Sequence, residues 1–389
     1  MVAVSVTAPA GFKATGLHAG IKADGALDTS IIVASRPVAA AAVFTTSLTA
    51  APVVTLARKH MADPIVQVIV INSGCANAGT GLVGLTNAER VAVAAAAVAG
   101  CDPDQVIVAS TGPIGTPLPV DNVIDRLPEA FAAAGGADHD ATLAARGILT
   151  TDSVSKEAVR RTGGYVIGGM SKGAGMVRPN MATMLAYLTT DAVVEPGPLQ
   201  TALADAVDAT FNSLNIDGCQ STNDMVVLLA SGESGVAPDP SGFGATLTDV
   251  CGDLAWQMAK DAEGASRVVT VRVAGASDDR VAREIGKSIA DSSLVRSSFY
   301  GADPNWGRVL GALGVTGHPI HQEDIEISYA GTAVAQGGVG IPFDEDAVIA
   351  KLERGDFELD IVVGAGAGHA TIVTTDLTPE YVMFNGERT

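Results

Sequence analysis

Aromatic and basic residues are scarce in this 389-residue sequence. Aromatic residues make up 4% of the chain and hydrophobic residues 47%, so alanine, valine and other small side chains carry much of the apolar content. The chain has 24 lysine and arginine residues against 43 aspartate and glutamate residues, a formal net charge of −19. Without a basic cluster, such a chain is a poor partner for nucleic acid or for an anionic membrane. The hydrophobic fraction excludes a disordered chain, and the length predicts one large or two medium domains.

The sequence also lacks the features of secretion, membrane insertion and disulfide frameworks. Residues 1–9 show no basic start followed by an apolar block, so no signal peptide is predicted. The most apolar run, residues 91–100, is too short to span a bilayer. Scattered cysteines without a CxxC pair are typical of reduced thiols in a cytoplasmic protein. The four are Cys75, Cys101, Cys219 and Cys251. We therefore expect a soluble, cytoplasmic protein.

Histidine, the usual general base, occurs six times without a recognisable catalytic or metal spacing. His318 and His321 are close, but a pair in a proline-flanked loop is more often solvated than metal-bound, so no metal site is predicted. A GxSxG elbow, a GxxxxGK[ST] loop and a GxGxxG after a strand are also absent. These absences weigh against zinc, ATP and NAD chemistry and leave nucleophilic catalysis without histidine.

Alternating strand and helix patterns predict an α/β (α+β) fold. The capping-box sequence Thr86-Asn87-Ala88-Glu89 predicts the start of a helix that ends near Gly100, and Pro128 is expected to bend or divide a helix at 121–134. The predicted strands include 31–34, 40–45, 65–71, 105–110, 165–170, 182–189 and 225–230. A change of pattern near residue 270 predicts a larger domain, 1–270, and a smaller one, 271–389.

Residues 168–187 combine glycines, Lys172 and a threonine, Thr183, at the start of an apolar strand. An ordinary loop before a core strand has the same pattern. A threonine nucleophile needs a base, and its own α-amino group can serve, because the pKa of an α-amine in a peptide is about 7.7–8.0. Thr183 gains that amine only if the bond between Ala182 and Thr183 is cut, which would yield chains 1–182 and 183–389.

Acyl transfer also requires donors for the developing oxyanion. Thr111 and Gly112 directly follow the predicted strand 105–110, where backbone N–H groups and a hydroxyl can point into a cleft. A plain strand-to-loop turn built by Gly112 and Pro113 explains the same residues equally well.

The sequence resembles the ornithine acetyltransferase family, the bifunctional glutamate N-acetyltransferases of arginine biosynthesis. The central likeness lies in Lys172-Gly173-Ala174-Gly175-Met176 with Pro179 and Met181-Ala182-Thr183-Met184-Leu185. Further matching motifs run in order along nearly the whole chain. They are Asn72-Ser73-Gly74, Ala76-Asn77-Ala78, Ser110-Thr111-Gly112, Thr150-Thr151-Asp152, Asp217-Gly218, Ser221-Thr222-Asn223-Asp224, Asp261-Ala262-Glu263-Gly264-Ala265 and Asp303-Pro304-Asn305-Trp306-Gly307-Arg308.

The resemblance implies a layered αββα sandwich similar to N-terminal-nucleophile hydrolases, with a smaller α/β C-terminal domain whose tail closes the active site. It implies that Thr183 is both the residue before which the chain cuts itself, after Ala182, and the acetyl-accepting nucleophile. Thr111 and Gly112 match the oxyanion-hole positions. The two resulting chains are expected to assemble as an α2β2 heterotetramer.

The positions that match the family's substrate-binding residues are Thr150, its neighbour Thr151, Lys172, Glu263, Asn385 and Thr389, together with Thr183. Lys172 would supply the cation that an α-carboxylate substrate needs in an acidic protein. The tail departs from the family pattern, because a hydroxyl residue usually stands five positions after the asparagine and Thr389 stands four after Asn385.

The activity implied is ping-pong transfer of acetyl from N2-acetyl-L-ornithine to L-glutamate, giving L-ornithine and N-acetyl-L-glutamate through an acetyl-Thr183 enzyme. No bound cofactor is expected, although acetyl-CoA is a second donor for some family members. Three alternatives stay open. They are a paralogous acetyltransferase of specialised amino-acid metabolism, an aminopeptidase or amidase of the same fold, and a descendant that only binds ligands.

Overall fold

A computed structural model describes residues 5–178 and 184–387. The chain divides into two compact units. The first comprises Met1–Gly173, Pro179–Asn212 and Gln220–Met258, and the second comprises Ala174–Arg178, Ser213–Cys219 and Ala259–Thr389. Each unit contains its own sheet with packed helices, which confirms the predicted α/β (α+β) class. The domain boundary near 270 stays a prediction.

Fifteen strands and eleven α-helices are described. The strands are β1 (Phe12–Leu17), β2 (Thr29–Phe44), β3 (Ile65–Ser73), β4 (Val106–Thr111), β5 (Lys156–Thr162), β6 (Tyr165–Lys172), β7 (Leu185–Thr190), β8 (Leu214–Asn215), β9 (Met225–Ala230), β10 (Val268–Ala276), β11 (Glu326–Tyr329), β12 (Thr332–Gln336), β13 (Val339–Gly340), β14 (Phe357–Val362) and β15 (Gly368–Thr375). The helices are α1 (Pro52–His60), α2 (Gly81–Ala99), α3 (Val120–Ala133), α4 (Asp138–Gly147), α5 (Pro196–Ala209), α6 (Pro240–Lys260), α7 (Asp279–Asp291), α8 (Ser293–Tyr300), α9 (Trp306–Leu313), α10 (Glu345–Leu352) and α11 (Pro379–Gly386).

An eight-stranded mixed sheet organises the first unit. Its order is β4-β3-β2-β9-β7-β6-β5, with β1 paired to β2. The pairs β3–β4 and β7–β9 are parallel, so the ends of β3 and β4 lie together, with Ser73 opposite Thr111. The long strand β2 was predicted as two separate strands, 31–34 and 40–45. It is continuous, with an irregularity in its pairing to β3 between Val33 and Val38.

Helix α2 starts earlier than its sequence predicts. It begins at Gly81 rather than at Thr86, and it ends as predicted before Gly100, which has a left-handed φ of 73°. The loop just before the helix holds its first turn, because the side-chain amide of Asn77 donates a 2.9 Å hydrogen bond to the Gly84 carbonyl. Helix α3 is continuous, so Pro128 lies inside it without dividing it.

Helix α2 is also, among the described residues, the one helix long and apolar enough to cross a membrane, with a mean hydropathy of 1.4 over its best window. It carries Arg90, which pairs with Asp121 of the next helix, and it buries an alanine-rich face in the core of the first unit. This core lies between the sheet and α1–α4, and most of its side chains are alanine, valine, leucine or isoleucine. A core helix of a globular protein can have the same length and apolar composition.

A seven-stranded mixed sheet organises the second unit, in the order β13-β12-β11-β14-β10-β15-β8. Helix α7 packs on β10 and β15 with Ile285 and Ile289 buried. Arg296 of α8 is buried too, and its guanidinium donates to the Thr375 carbonyl at 2.9 Å and to the Asp376 carbonyl at 3.1 Å. The cation thereby ties α8 to the end of β15.

Candidate active site

The predicted oxyanion-hole residues lie at the end of β4 in a loop that only glycine can complete. Gly112 has a φ of 137°, and a methyl group at this position would lie 2.5 Å from the Cys75 nitrogen. The Cys75 N–H donates to the Thr111 carbonyl at 3.1 Å, and Thr111 is 9% exposed. Close packing of two backbone segments therefore accounts for the glycine, as the turn interpretation requires.

Lys172, at the end of β6, brings three of the predicted site residues together. Its ammonium donates to the Thr150 hydroxyl at 2.7 Å and to the Thr111 hydroxyl at 3.3 Å. The lysine is 8% exposed, so it is buried rather than on the surface. Because an ammonium only donates, the Thr111 oxygen is the acceptor and its own hydrogen is directed elsewhere. The Thr111 hydroxyl hydrogen can therefore donate to a group other than Lys172.

The contact between Lys172 and Thr111 also shows how the sheet is shaped. Strand β4 stands at one edge of the sheet order and β6 next to the other edge, with four strands between them. The Lys172 ammonium and the Thr111 hydroxyl, at the ends of two strands so far apart in the order, can come within 3.3 Å of each other only if the sheet curls strongly. The irregularity in β2 is the described feature of the middle strands that permits such a bend.

A fully buried carboxylate, Asp152, holds this cation in place. Its Oδ2 lies 3.8 Å from the Lys172 ammonium and accepts from the Thr150 N–H at 3.1 Å. Its Oδ1 accepts from the Lys156 ammonium at 2.6 Å and from the Gly173 N–H at 2.7 Å. Burial by itself would raise the pKa of Asp152, but the positive charges of Lys172 and Lys156 and these hydrogen bonds hold it well below its usual range. The carboxylate therefore stays ionised.

Two lysines sharing one carboxylate leave this cluster with a net positive charge. Lys156 is 0% exposed and Asp152 pairs with it and with Lys172, so the three formal charges sum to +1. In a chain of net charge −19, the two buried lysines are a local concentration of positive charge. The predicted residue Thr151 lies next to Thr150 in the same bend, half-buried, and none of the described hydrogen bonds assigns its side chain to the cluster.

In the second unit, the predicted substrate residues Glu263 and Asn385 contact each other. The Asn385 amide donates to a Glu263 carboxylate oxygen at 3.1 Å. Asn385 lies on α11, near the end of the chain. Thr378 caps that helix and donates to the Gly264 carbonyl at 2.6 Å. A methyl group on Gly264 would lie 2.4 Å from the Tyr381 nitrogen, so the helix packs directly on the loop that carries Glu263.

Three predicted residues, Ala182, Thr183 and Thr389, lie outside the described residues. Within residues 5–178 and 184–387, no three histidine, cysteine, aspartate or glutamate side chains are grouped to hold a metal ion. His318, one of the two neighbouring histidines in the sequence, has its Nε2 2.7 Å from a carboxylate oxygen of Glu284.

The sequence motifs contain two further residues whose roles were not predicted, Asp152 and Asn223. Asp152 was visible as the acidic end of Thr150-Thr151-Asp152, and a carboxylate four residues before Lys156 was the available signal. Asn223, which is 4% exposed, donates from its amide to the carbonyls of Ala76 at 2.6 Å and Ser110 at 2.9 Å. Its sequence signals were its place in the motif Ser221-Thr222-Asn223-Asp224 and its position just before a buried strand.

Known proteins resemble this chain over almost its full length. A family model described as the ArgJ family matches residues 13–389. The arginine biosynthesis bifunctional protein ArgJ of Thermobifida fusca is 44% identical over 387 residues, covering 98% of this chain and 99% of that protein. The protein so named from Streptomyces avermitilis is 41% identical over 384 residues, covering 98% and 99%. The crystal structure of the arginine biosynthesis bifunctional protein argJ from Bacillus halodurans has a TM-score of 0.51 and 38% identity, and covers 53% of this chain and 100% of its own.

Proposed function

This chain belongs to the ArgJ family, and we propose that it performs the family's acetyl transfer on Thr183 after cutting itself between Ala182 and Thr183. It is an acetyltransferase of arginine biosynthesis that moves acetyl from N2-acetyl-L-ornithine to L-glutamate. The contact that carries the proposal within the fold is the buried Lys172 ammonium, hydrogen-bonded to the hydroxyls of Thr150 and Thr111. It combines a cation for a carboxylate substrate with the loop that offers donors to an oxyanion.

The proposed reaction has two balanced halves. In the first, the α-amine of Thr183 takes the proton of its own hydroxyl, whose oxygen bonds to the acetyl carbon of acetylornithine. The N–H of Gly112 and the hydroxyl of Thr111 stabilise the oxyanion. The carbon–nitrogen bond then breaks, and the proton passes to the departing amine of ornithine. In the second half, the free amine of glutamate attacks the acetyl ester, the proton returns to the threonine oxygen, and N-acetylglutamate leaves.

Chain lengths support the proposed cut. Residues 183–389 number 207 of 389, which is 53% of the chain. The crystallised Bacillus halodurans chain is matched in full and also spans 53% of this chain. A separate chain that begins at the predicted nucleophile has that length.

The remaining features of the proposal rest on chemistry and family membership. The threonine hydroxyl and amine supply nucleophile and base, so no bound cofactor is required. Acetyl-CoA is proposed as a second donor that forms the same acetyl-enzyme. Glu263, Asn385, Thr389 and Thr151 stay predicted substrate residues. We propose a cytoplasmic α2β2 assembly of the two cleaved chains.

Mass spectrometry of the denatured protein, combined with an ornithine-release assay, tests the proposal. The expected masses are those of chains 1–182 and 183–389, and Thr183→Ala is expected to stay uncut and inactive. Ornithine release from N2-acetylornithine should depend on added glutamate, or on another acceptor amine. Activity of an uncut chain would disprove the threonine mechanism, and release at the same rate without glutamate would identify an amidase instead. Acetyl-CoA is tested as donor in the same assay.

A further inference from the structure

The side chain of Asn223 bridges two loops at the end of the first sheet. Its amide nitrogen donates to the Ala76 carbonyl at 2.6 Å and to the Ser110 carbonyl at 2.9 Å, and its oxygen accepts from the Thr222 hydroxyl at 2.6 Å. The residue is 4% exposed, so these are bonds in a nearly dry environment. A buried carbonyl left without a donor is unfavourable, so the amide strongly favours this one arrangement of the two loops.

One of these loops carries the oxyanion hole. Ser110 is the residue before Thr111, and its hydroxyl donates to the Asn72 side chain at 2.6 Å. Asn72 in turn donates to the Cys75 carbonyl at 2.8 Å, and the Cys75 N–H returns to the Thr111 carbonyl at 3.1 Å. Asn223 thus attaches to a closed ring of hydrogen bonds around Thr111 rather than to a single loose strand end.

Residues 223–225 also contact the start of β7, the strand that the predicted nucleophile Thr183 precedes. Two residues after Asn223, the Met225 N–H donates to the Met184 carbonyl at 3.2 Å. Met184 follows Thr183 in the chain, and the pairing of β7 with β9 continues from there, with Leu185 opposite Met225. Residues 223–225 therefore contact both the oxyanion-hole loop and the start of β7.

No comparably short connection is provided by the sheet itself. In the strand order, β4 and β7 are separated by β3, β2 and β9, and β2 contains the irregularity described above. Small changes of twist at each intervening strand would add up to a change in the separation of the two ends. The amide of Asn223 removes this freedom by linking the start of β9 directly to the end of β4.

We infer that Asn223 is a positioning residue for acetyl transfer, which holds the Thr111–Gly112 oxyanion hole at a set distance from the strand that begins after Thr183. The inference rests on the proposed function. Asn223 acts through Ser110 and Ala76 and is not assigned any contact with substrate. A displacement of about 1 Å between reacting groups can lower a rate about 100-fold, and this sets the size of the expected effect.

The test compares Asn223→Ala and Asn223→Asp with the wild-type protein and with Gln200→Ala. Gln200 is a matched control, because its side-chain amide also makes two hydrogen bonds to the backbone of this sheet, at Ala42, away from Thr111. Cleavage is measured by mass spectrometry, melting temperature by differential scanning fluorimetry, and kcat and KM for N2-acetylornithine are expressed per cleaved chain. The aspartate keeps the size of the side chain but has no N–H to donate.

Both Asn223 variants are expected to lose about 10- to 100-fold in kcat, with KM within about twofold of wild type, because the loop that stabilises the transition state moves while Lys172 and Thr150 stay. Gln200→Ala should retain the wild-type kcat. A kcat within about threefold of wild type in either Asn223 variant would overturn the inference. A rise in KM that matches the loss in kcat would also overturn it. Failure of both variants to cleave would overturn it too, because it would assign Asn223 to folding or maturation. An inactive wild-type protein would instead refute the proposed function.

Discussion

The Lys172 ammonium donates a 2.7 Å hydrogen bond to the hydroxyl of Thr150, 22 residues earlier in the chain. Lys172 ends β6, and Thr150 lies in the bend after α4. Asp152 holds both, since the same carboxylate oxygen accepts from the Thr150 N–H at 3.1 Å and lies 3.8 Å from the ammonium. A cation, a hydroxyl and a carboxylate are thus set in one geometry before substrate arrives, which reduces the reorganisation that binding requires.

Removal of the Lys172 charge should weaken substrate binding. A charge-assisted hydrogen bond contributes about 1.5–3 kcal/mol, so Lys172→Met is expected to raise KM for N2-acetylornithine and for glutamate about 10- to 100-fold. Lys13→Met, which removes an exposed lysine of the same unit, serves as control. Steady-state kinetics at several substrate concentrations measure the effect, and an unchanged KM for both substrates would contradict the binding role.

The depressed pKa of Asp152 predicts a loss of stability in acid. A carboxyl whose pKa is lower in the folded than in the unfolded protein stabilises the fold above its unfolded pKa, about 3.9, and that contribution disappears as the pH falls towards the folded value. The wild-type free energy of unfolding should therefore fall as the pH is lowered from about 5 to about 2. Asp152→Asn combined with Lys156→Met removes the buried pair together and should flatten this dependence.

Urea unfolding at a series of pH values measures that difference. The double variant is needed because Asp152→Asn alone would take the carboxylate from a fully buried lysine, a loss of about 3–5 kcal/mol that would mask the pH effect. Asp63→Asn, an exposed site, is the control and should follow the wild-type curve. Identical slopes for wild type and double variant would show that Asp152 titrates alike in both states.

Gly112→Ala should abolish most of the acetyl transfer. The added methyl would lie 2.5 Å from the Cys75 nitrogen, and the φ of 137° is unfavourable for alanine, so the oxyanion-hole loop has to move. Loss of one oxyanion donor lowers kcat about 100- to 1000-fold. Gly115→Ala is a matched control, since Gly115 also has a positive φ, 85°, but no atom within 4 Å of the added carbon. It should lower the melting temperature slightly and leave kcat close to wild type.

Gly264→Ala tests the role of α11. A methyl group at 264 would meet the Tyr381 nitrogen at 2.4 Å and push the helix that carries Asn385 away from Glu263. If these two residues bind substrate, KM should rise at least about tenfold. Gly317→Ala, at a φ of 73° with open space around it, controls for backbone strain in the same unit. Equal KM values for the two variants would argue against a substrate role for Glu263 and Asn385.

Local sequence patterns predicted correctly those elements whose ends are set by their own residues. Strand β9 runs from Met225 to Ala230 as predicted, because six consecutive apolar residues are buried on both faces of the sheet. The start of α2 and the continuity of β2 were predicted wrongly. Helix α2 is extended by a hydrogen bond from the loop before it, from Asn77 to Gly84, and β2 is held as one strand by its pairing with β1 at one end and with β9 at the other. Both elements therefore run beyond the residues whose local preference favours them.

The sequence by itself determined the chemistry that this protein has available. It identified Thr183, Thr111, Gly112 and Lys172 by motif, and it excluded a histidine base by the absence of any usable spacing. Only the tertiary structure decided which residues support these groups. Asp152 contacts Lys156 on β5 and Lys172 on the neighbouring strand β6. Asn223, just before β9, contacts Ser110 on β4, which is not adjacent to β9 in the sheet order, and this contact exists because the sheet curls. Curvature depends on the packing of all its strands together, so no single stretch of sequence encodes it.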